Sequence, residues 1–202
     1  MRIGVLGGTF DPPHLGHLVL AQEALDQCNL DRILWLPAAN PPHKQKNPVS
    51  PIDDRIQLVS LSIADNEQFA LSRVDVDRPG PHYTVDTLDL LDSKFPDVEW
   101  FLLIGSDSLR DLPTWQSPQR LVEIAKLVVM ARPGIAYDMP LLERMFPRIT
   151  QQSDFLKTPL IDISSHDIRI RSKAGRSIRY LVTDSVRGYI IDRNLYREFP
   201  LE

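Results

Sequence analysis

Short apolar runs alternate with helical periodicities along most of the chain. The runs cover residues 2–6, 32–36, 69–74, 98–104 and 126–131. Their length and their content of Val, Ile, Leu and Phe are typical of buried strands. The pattern therefore predicts five buried strands in the first two thirds of the chain.

The segments between these runs carry helical patterns. Residues 16–28 place apolar side chains three and four positions apart, on one helix face. Ser50 and Pro51 are typical of an N-cap and a first helical residue, and this helix extends to about residue 64. Two more helices are predicted over 84–93 and 118–124. This alternation predicts an α/β fold with a doubly wound, Rossmann-like parallel sheet and right-handed crossovers.

The pattern changes after residue 131. Helices are predicted over 138–145, 177–181 and 184–191, and one further strand over 160–163. We predict a single domain, 1–202. Its last third, from about residue 135, is expected to form a C-terminal helical cap on the same sheet.

Composition and charge narrow the class of protein. The 202 residues include 23 basic and 27 acidic side chains, and the net charge of −4 disfavours nucleic-acid binding through bulk charge. No apolar stretch approaches the roughly 20 residues that a membrane span requires. The single Cys28 cannot form an intramolecular disulfide, and the first apolar run is too short for a signal peptide. We therefore expect a cytoplasmic protein that binds neither nucleic acid nor membranes.

One segment, residues 169–179, is strongly basic. It holds five Lys or Arg side chains and no acidic one. Two interpretations stay open for it: a solvated helix face, and a site that binds an anion.

The first strand leads into a glycine-rich loop that is followed by a helix. In open α/β sheets, ligands bind beyond the carboxyl ends of strands, and a helix start offers N–H groups to phosphate. The loop matches neither the dinucleotide fingerprint nor the P-loop. It ends in His14-Leu15-Gly16-His17, and the two imidazoles, three residues apart, lie on one side of the helix start. Both rings can bond phosphate oxygens there, whereas a lone His is more often structural.

Six further motifs follow this loop in order. They are PPHK at 41–44, GPHYTVDT at 80–87, IGSDSL at 104–109, LPTW at 112–115, ARPG at 131–134 and ISSHDIR at 163–169. With the first loop, they make nearly the whole chain resemble the H-x-G-H nucleotidyltransferase superfamily and, within it, the bacterial nicotinate-nucleotide adenylyltransferases. His166 stands where the family usually has Thr, so the role of this position stays open.

The resemblance implies transfer of AMP from MgATP to nicotinate mononucleotide in NAD biosynthesis, giving deamido-NAD (nicotinate adenine dinucleotide) and pyrophosphate. Mg²⁺ is then expected on phosphate oxygens and water, with no protein metal cluster. The expected partners are ATP and nicotinate mononucleotide, and a homo-oligomer is left open.

The resemblance also implies roles for individual residues at the ATP site. The catalytic residues would be His14, His17, Lys44 and Arg169, which face the phosphates. The ATP-binding residues would be Gly8, Thr9, Phe10, His17, Gly105, Asp107, Ser164, Ser165 and Arg169. Structural alternatives remain, because Lys44 would also suit a solvated loop, Ser164 and Ser165 a plain N-cap, and Asp107 a helix start.

The second substrate needs an aromatic surface and donors for a carboxylate. Trp115 would stack on the pyridine ring, and the alternative for it is a half-buried loop anchor. Backbone N–H groups of Tyr83 and Thr84 would bind the nicotinate carboxylate. The resemblance assigns the ribose and phosphate of the mononucleotide to Asn40, His43 and Arg132.

Three other functions compete with this interpretation. A related transferase acting on phosphopantetheine would share the two histidines but should lack the 80–87 and Trp115 motifs in these places. A non-catalytic nucleotide-binding module would not need phosphate-contacting residues at 14, 17, 44 and 169. An NAD-dependent oxidoreductase is disfavoured because the chain lacks G-x-G-x-x-G.

Overall fold

A parallel six-stranded sheet forms the centre of the structure, a computed structural model that describes residues 1–39, 49–131, 134–159 and 161–196. The strands are β1 (Arg2–Gly8), β2 (Arg32–Pro37), β3 (Phe69–Leu71), β4 (Glu99–Gly105), β5 (Ala125–Met130) and β6 (Ser153–Leu156). Their spatial order is β3-β2-β1-β4-β5-β6, and all neighbouring strands are parallel. This is the order of doubly wound nucleotide-binding sheets, so the predicted fold class is confirmed.

Helices cover both faces of the sheet in the described ranges. They are α1 (Leu15–Gln27), α2 (Ile52–Ile63), α3 (Thr84–Lys94), α4 (Ser106–Asp111), α5 (Pro118–Ile124), α6 (Met139–Met145), α7 (Ser165–Lys173) and α8 (Asp184–Asp192). Successive strand residues point to opposite faces, so Phe101 and Leu103 pack in the cluster under α1 and α2. Their neighbours Leu102 and Ile104 pack in the second cluster, under α3 to α6.

A third core cluster joins α2, α7 and α8 beside the sheet. Its buried members are Leu58, Ile168, Ile178, Val182, Val186 and Ile190. The side chains of Leu195 and Tyr196 pack against it from the chain that follows α8. The cluster therefore fixes the last helices against α2. The division of the chain into one domain with a cap stays a prediction.

Several predicted elements differ from the structure. The predicted strand over 160–163 is wrong: residues 161–163 form no regular element, residue 160 lies outside the described residues, and the last strand is β6. In β6, Phe155 is exposed and Leu156 buried, and such an edge strand lacks the continuous apolar run that marks a buried one. The segment 69–74 is strand only as far as Leu71, because the chain then turns, with Asp77 N–H donating to the carbonyl of Arg73.

Two predictions about helices are also wrong. The segment 177–181 is not helical, since Tyr180 has a left-handed φ of 65° and Arg179 forms an isolated bridge with Val182. The predicted N-cap at Ser50 is displaced by one residue, because Pro51 occupies that position and makes no side-chain cap.

The strand order predicts a ligand-binding crevice between β1 and β4, at the carboxyl ends of these strands. These two strands are neighbours, and the chain proceeds from them toward opposite edges of the sheet. At such a switch point the connections at the carboxyl ends diverge and leave room for a ligand. The connections concerned are residues 9–14, which we call the β1–α1 loop, and the start of α4.

Candidate active site at the sheet switch point

The β1–α1 loop is anchored by the buried aromatic side chain of Phe10. Phe10 has a left-handed φ of 49° and is almost fully buried. The centroid of its ring lies 5.3 Å from the ring centroid of Trp35 and 5.2 Å from that of His17, and the contact with His17 is edge-on. A Cβ on Gly8 would lie 2.9 Å from the Phe10 ring, so this conformation requires glycine at position 8.

His14 and His17 form a stacked pair at the start of α1. His14 is the N-cap residue. The centroids of the two rings lie 3.7 Å apart, and the angle between the ring planes is 29°. The backbone N–H of His14 donates to His17 Nδ1 at 3.2 Å. A nitrogen that accepts carries no hydrogen, so neutral His17 has its hydrogen on Nε2, where it can donate to a ligand. A Cβ on Gly16 would lie 3.1 Å from His14 Nδ1, which explains the small residue between the histidines.

Helix α7 contacts the same loop with its first two turns. Ser165 Oγ donates to the carbonyl of Pro12 at 2.8 Å, and Arg169 Nη1 donates to the carbonyl of Asp11 at 2.7 Å. Ser164 is the N-cap and accepts from the N–H of Asp167 at 3.1 Å. Ser164 is therefore the capping residue, whereas Ser165 and Arg169, one turn apart, bind the loop.

A buried arginine supports the loop from α2. The Arg55 guanidinium donates to four carbonyls, at 2.9 Å to Thr9, 2.7 Å to Ala38, 3.2 Å to Ala39 and 3.0 Å to Ser50. Burial lowers the pKa of Arg55, and nearby Asp11 opposes this shift. Arg55 thus joins the loop after β1 to the chain on either side of residues 40–48.

Arg55 is not among the site residues that the sequence motifs predict. Its position in the sequence nevertheless indicates that it is buried, because Arg55 falls on the same helix face as Leu58, Val59 and Ser62, which are all buried. A charged residue on an apolar face is unusual unless it is paired. Asp11 is likewise absent from the predicted site residues, although it is only 3% exposed.

The end of β4 forms the other wall of the crevice. Gly105 is the N-cap of α4, Ser106 is buried and Asp107 lies half-buried in the first helical turn. Asp107 is therefore a helix-start aspartate that also lies at the carboxyl edge of the sheet. The two interpretations of this residue are compatible, and its predicted contact with ATP stays a prediction.

The proposed carboxylate-binding turn lies after β3. Tyr83 is the N-cap of α3 and Thr84 its first residue. The turn is braced by Thr87, whose hydroxyl donates to Asp75 Oδ1 at 2.6 Å and accepts from Arg78 Nη2 at 3.0 Å. Arg78 and Asp75 also form a largely buried ion pair at 3.0 Å.

Trp115 lies on the connection between α4 and α5. It follows a 3₁₀ turn, Leu112–Thr114, and its half-buried ring packs against the second core cluster. The structure thus brings the two histidines, Ser165 and Arg169 together around one loop. It places Tyr83, Thr84 and Trp115 on separate connections at the same edge of the sheet.

Four predicted site residues lie outside the described residues. They are Asn40, His43, Lys44 and Arg132. Among the residues that the structure describes, no group of three or more His, Cys, Asp or Glu could hold a metal ion. No helix within the described ranges is long and apolar enough to cross a membrane.

Comparison with known proteins extends over nearly the whole chain. The cytidylyltransferase-like family model matches residues 5–171. A protein of Thermomicrobium roseum named "Probable nicotinate-nucleotide adenylyltransferase" is 46% identical over 196 residues, 97% of this chain and 92% of the relative. A Thermus thermophilus protein of the same name is 46% identical over 197 residues, 98% of this chain and 100% of the relative. The nicotinic acid mononucleotide adenylyltransferase of Plasmodium falciparum complexed with NaAD has a TM-score of 0.83 at 20% identity, covering 100% of this chain and 99% of that one.

Proposed function

We propose, from the premise that this chain belongs to the nicotinate-nucleotide adenylyltransferase family, that it transfers AMP from ATP to nicotinate mononucleotide. The products would be nicotinate adenine dinucleotide and pyrophosphate. The observation that carries the proposal is the stacked pair His14 and His17 at a helix start beyond β1, with Arg169 bound to the same loop.

The reaction is a substitution at the α-phosphorus of ATP. An oxygen of the mononucleotide phosphate forms a new bond to this phosphorus, while the bond to the bridging oxygen of the leaving pyrophosphate breaks. The attacking phosphate is already an anion, so the enzyme needs no strong general base. Catalysis then consists of holding the two reactants in line and stabilising the charge that moves onto pyrophosphate.

The described residues suit this task. His17 Nε2 can donate a hydrogen bond to a phosphate oxygen, and the guanidinium of Arg169 supplies a fixed positive charge. Helix α1 adds the partial positive charge of its N-terminus. His14, which is stacked on His17, would also contact the ATP phosphates. Lys44, outside the described residues, is proposed as a further cation.

The remaining contacts are assigned by element. Gly8, Thr9 and Phe10 would bind the ATP phosphates, together with Ser164 and Ser165 at the start of α7. Gly105 and Asp107 would bind the adenosine part. We propose that Mg²⁺ enters with ATP, bound to phosphate oxygens and water, as its preference for oxygen ligands in octahedral geometry favours.

The mononucleotide would bind across the crevice. Trp115 would stack on the pyridine ring, and the N–H groups of Tyr83 and Thr84 would receive the carboxylate. Asn40, His43 and Arg132, all outside the described residues, are proposed for the ribose and phosphate.

The proposal is tested by measuring pyrophosphate release from MgATP with three acceptors in parallel. These are nicotinate mononucleotide, nicotinamide mononucleotide and phosphopantetheine. We expect the highest kcat/KM with nicotinate mononucleotide. Faster turnover with phosphopantetheine would assign the chain to another transferase of the superfamily, and ATP binding without any turnover would favour a non-catalytic module.

A further inference from the structure

Asp11 joins three segments of chain that are far apart in sequence. Its Oδ1 accepts from the hydroxyl of Tyr196 at 2.7 Å, and its Oδ2 accepts from the backbone N–H of Ser50 at 3.2 Å. The carbonyl of the same residue accepts from Arg169. Asp11 therefore links the β1–α1 loop to the chain before α2, to α7 and to the chain after α8.

Resting on the proposed function, we propose that Tyr196 is a positioning residue for adenylyl transfer. Its hydroxyl holds the Asp11 carboxylate, and through Asp11 it fixes the β1–α1 loop that leads into His14 and receives Arg169. Tyr196 thus acts through the loop and not on the reacting atoms.

The location of Asp11 makes the hydroxyl hard to replace. Asp11 is 3% exposed, so water reaches its carboxylate poorly. Burial of the phenol and the nearby carboxylate both raise the pKa of Tyr196, so the hydroxyl keeps its hydrogen and remains a donor. Removal of this hydroxyl would leave Oδ1 without that donor in a buried place, and the loop would have to shift to find another.

The backbone near Tyr196 is unusual for a residue of its size. Asn194 and Tyr196 have left-handed φ values of 50° and 68°, and the N–H of Leu195 donates to the carbonyl of Ile190 at 3.0 Å. Bulky residues rarely adopt positive φ, so surrounding contacts must hold this turn. Packing of Leu195 and Tyr196 against the third core cluster supplies such contacts and directs the hydroxyl toward Asp11.

The chain offers a matched control in Tyr189. Its hydroxyl donates to Asp54 Oδ1 at 2.8 Å, and its ring packs against the same third cluster. Both tyrosines therefore make a hydroxyl–carboxylate bond in the same region. Of these two tyrosines, Tyr196 bonds a carboxylate of the β1–α1 loop, whereas Tyr189 bonds Asp54 in the first turn of α2.

The experiment compares Tyr196→Phe and Tyr189→Phe in kcat, in KM for each substrate and in Tm. We expect Tyr196→Phe to lower kcat by about tenfold or more, the effect of losing one hydrogen bond to a charged group. KM for nicotinate mononucleotide should stay close to that of the wild type. Tyr189→Phe should leave kcat within about twofold, because the bond that it loses is to Asp54 in α2 and not to the β1–α1 loop. Equal kcat losses in the two variants, or loss of the fold in Tyr196→Phe alone, would overturn the inference.

A double-mutant cycle with Asp11→Ala tests whether Tyr196 acts through Asp11. If it does, Tyr196→Phe will cause little further loss of kcat in the Asp11→Ala protein, because the oxygen that accepts from the Tyr196 hydroxyl is already absent. A purely structural role for Tyr196 predicts losses that multiply, and multiplied losses would contradict the proposed route.

Hydrogen exchange separates this inference from the proposed function. Amides of residues 9–18 should exchange faster in Tyr196→Phe than in the wild type, and Tyr189→Phe should not change them. If the wild type releases no pyrophosphate, the proposed function fails, and the exchange rates still decide the role of Tyr196. Unchanged exchange in Tyr196→Phe would reject the inference even if the wild type is active.

Discussion

Replacing Arg55 tests the physical basis of the site most directly. In Arg55→Met the apolar part of the side chain is kept, but four carbonyls lose their donor and Asp11 loses a nearby positive charge. Each hydrogen bond to a charged group contributes about 1.5–3 kcal/mol. The sum overstates the effect, because burying the guanidinium costs several kcal/mol, and breaking a buried ionic contact typically costs about 3–5 kcal/mol.

We therefore expect Arg55→Met to reduce the free energy of unfolding by about 3–5 kcal/mol. For a chain of this size, 1 kcal/mol corresponds to about 2–4 °C, so Tm should fall by about 6–20 °C. The Tm of Arg55→Lys should lie between that of the wild type and that of Arg55→Met, because an ammonium cannot reproduce the planar guanidinium that reaches carbonyls of three segments.

Calorimetry and urea unfolding give the required free energies, and an unchanged m-value would show that the unfolded state is comparable. Arg120→Met is the control, since Arg120 pairs with Asp89 at the surface and should leave Tm nearly unchanged. A Tm for Arg55→Met within about 2 °C of the wild type would refute the reasoning, because that is less than the effect of 1 kcal/mol.

Four shorter predictions concern the site and the core. His17→Ala should lower kcat by about 10²- to 10³-fold with an unchanged circular dichroism spectrum, because one preorganised donor is lost; near-native turnover would exclude this role. Arg169→Ala and Arg169→Lys should both weaken MgATP binding measured by calorimetry more than binding of nicotinate mononucleotide. Unchanged ATP affinity in both variants would contradict the placement of Arg169. Trp115→Ala should weaken both pyridine mononucleotides by similar factors, so a collapse of the acid-to-amide ratio in kcat/KM would mean that Trp115 itself discriminates. Burial and Asp154 raise the pKa of the Cys28 thiol to about 11. Iodoacetamide at pH 8 should therefore label Cys28 in the unfolded protein and hardly in the native one. Rapid labelling of the native protein would disprove this.

The sequence predicted the sheet well because its strands are apolar and continuous. β1, β2, β4 and β5 lie where Val, Ile, Leu and Phe follow one another. β1 extends beyond the predicted run 2–6 and includes Gly7 and Gly8, so the loop that follows it, residues 9–14, contains no glycine. Edge strand β6 was missed, because only one of its four residues is buried and its pattern is not that of a buried strand. The segment 177–181 was mistaken for a helix, since periodicity does not reveal that its apolar residues pack in a turn.

From local patterns alone, the site was predictable only where neighbours in sequence are also neighbours in space, whereas Ser165 and Arg169 were expected there from the family resemblance. The pairing of His14 and His17 follows from their spacing on one helix turn. The contacts of Ser165, Arg169 and Tyr196 with the β1–α1 loop join residues more than 150 positions apart, and no local pattern encodes them. The buried role of Arg55 was encoded locally, yet it depended on carbonyls of loops whose paths were unknown.

The long separation of these contacts has a consequence for synthesis on the ribosome. Residues 9–14 emerge early, but Pro12 and Asp11 meet Ser165 and Arg169 at separations of 153 and 158 residues, and Asp11 meets Tyr196 at a separation of 185. Until those residues leave the exit tunnel, the nascent chain can form β1, α1 and β2 but not the finished loop. A stalled chain that lacks α7 and Tyr196 would therefore display the histidines without the groups that fix them. The complete support of the loop would therefore require that translation has proceeded past Tyr196.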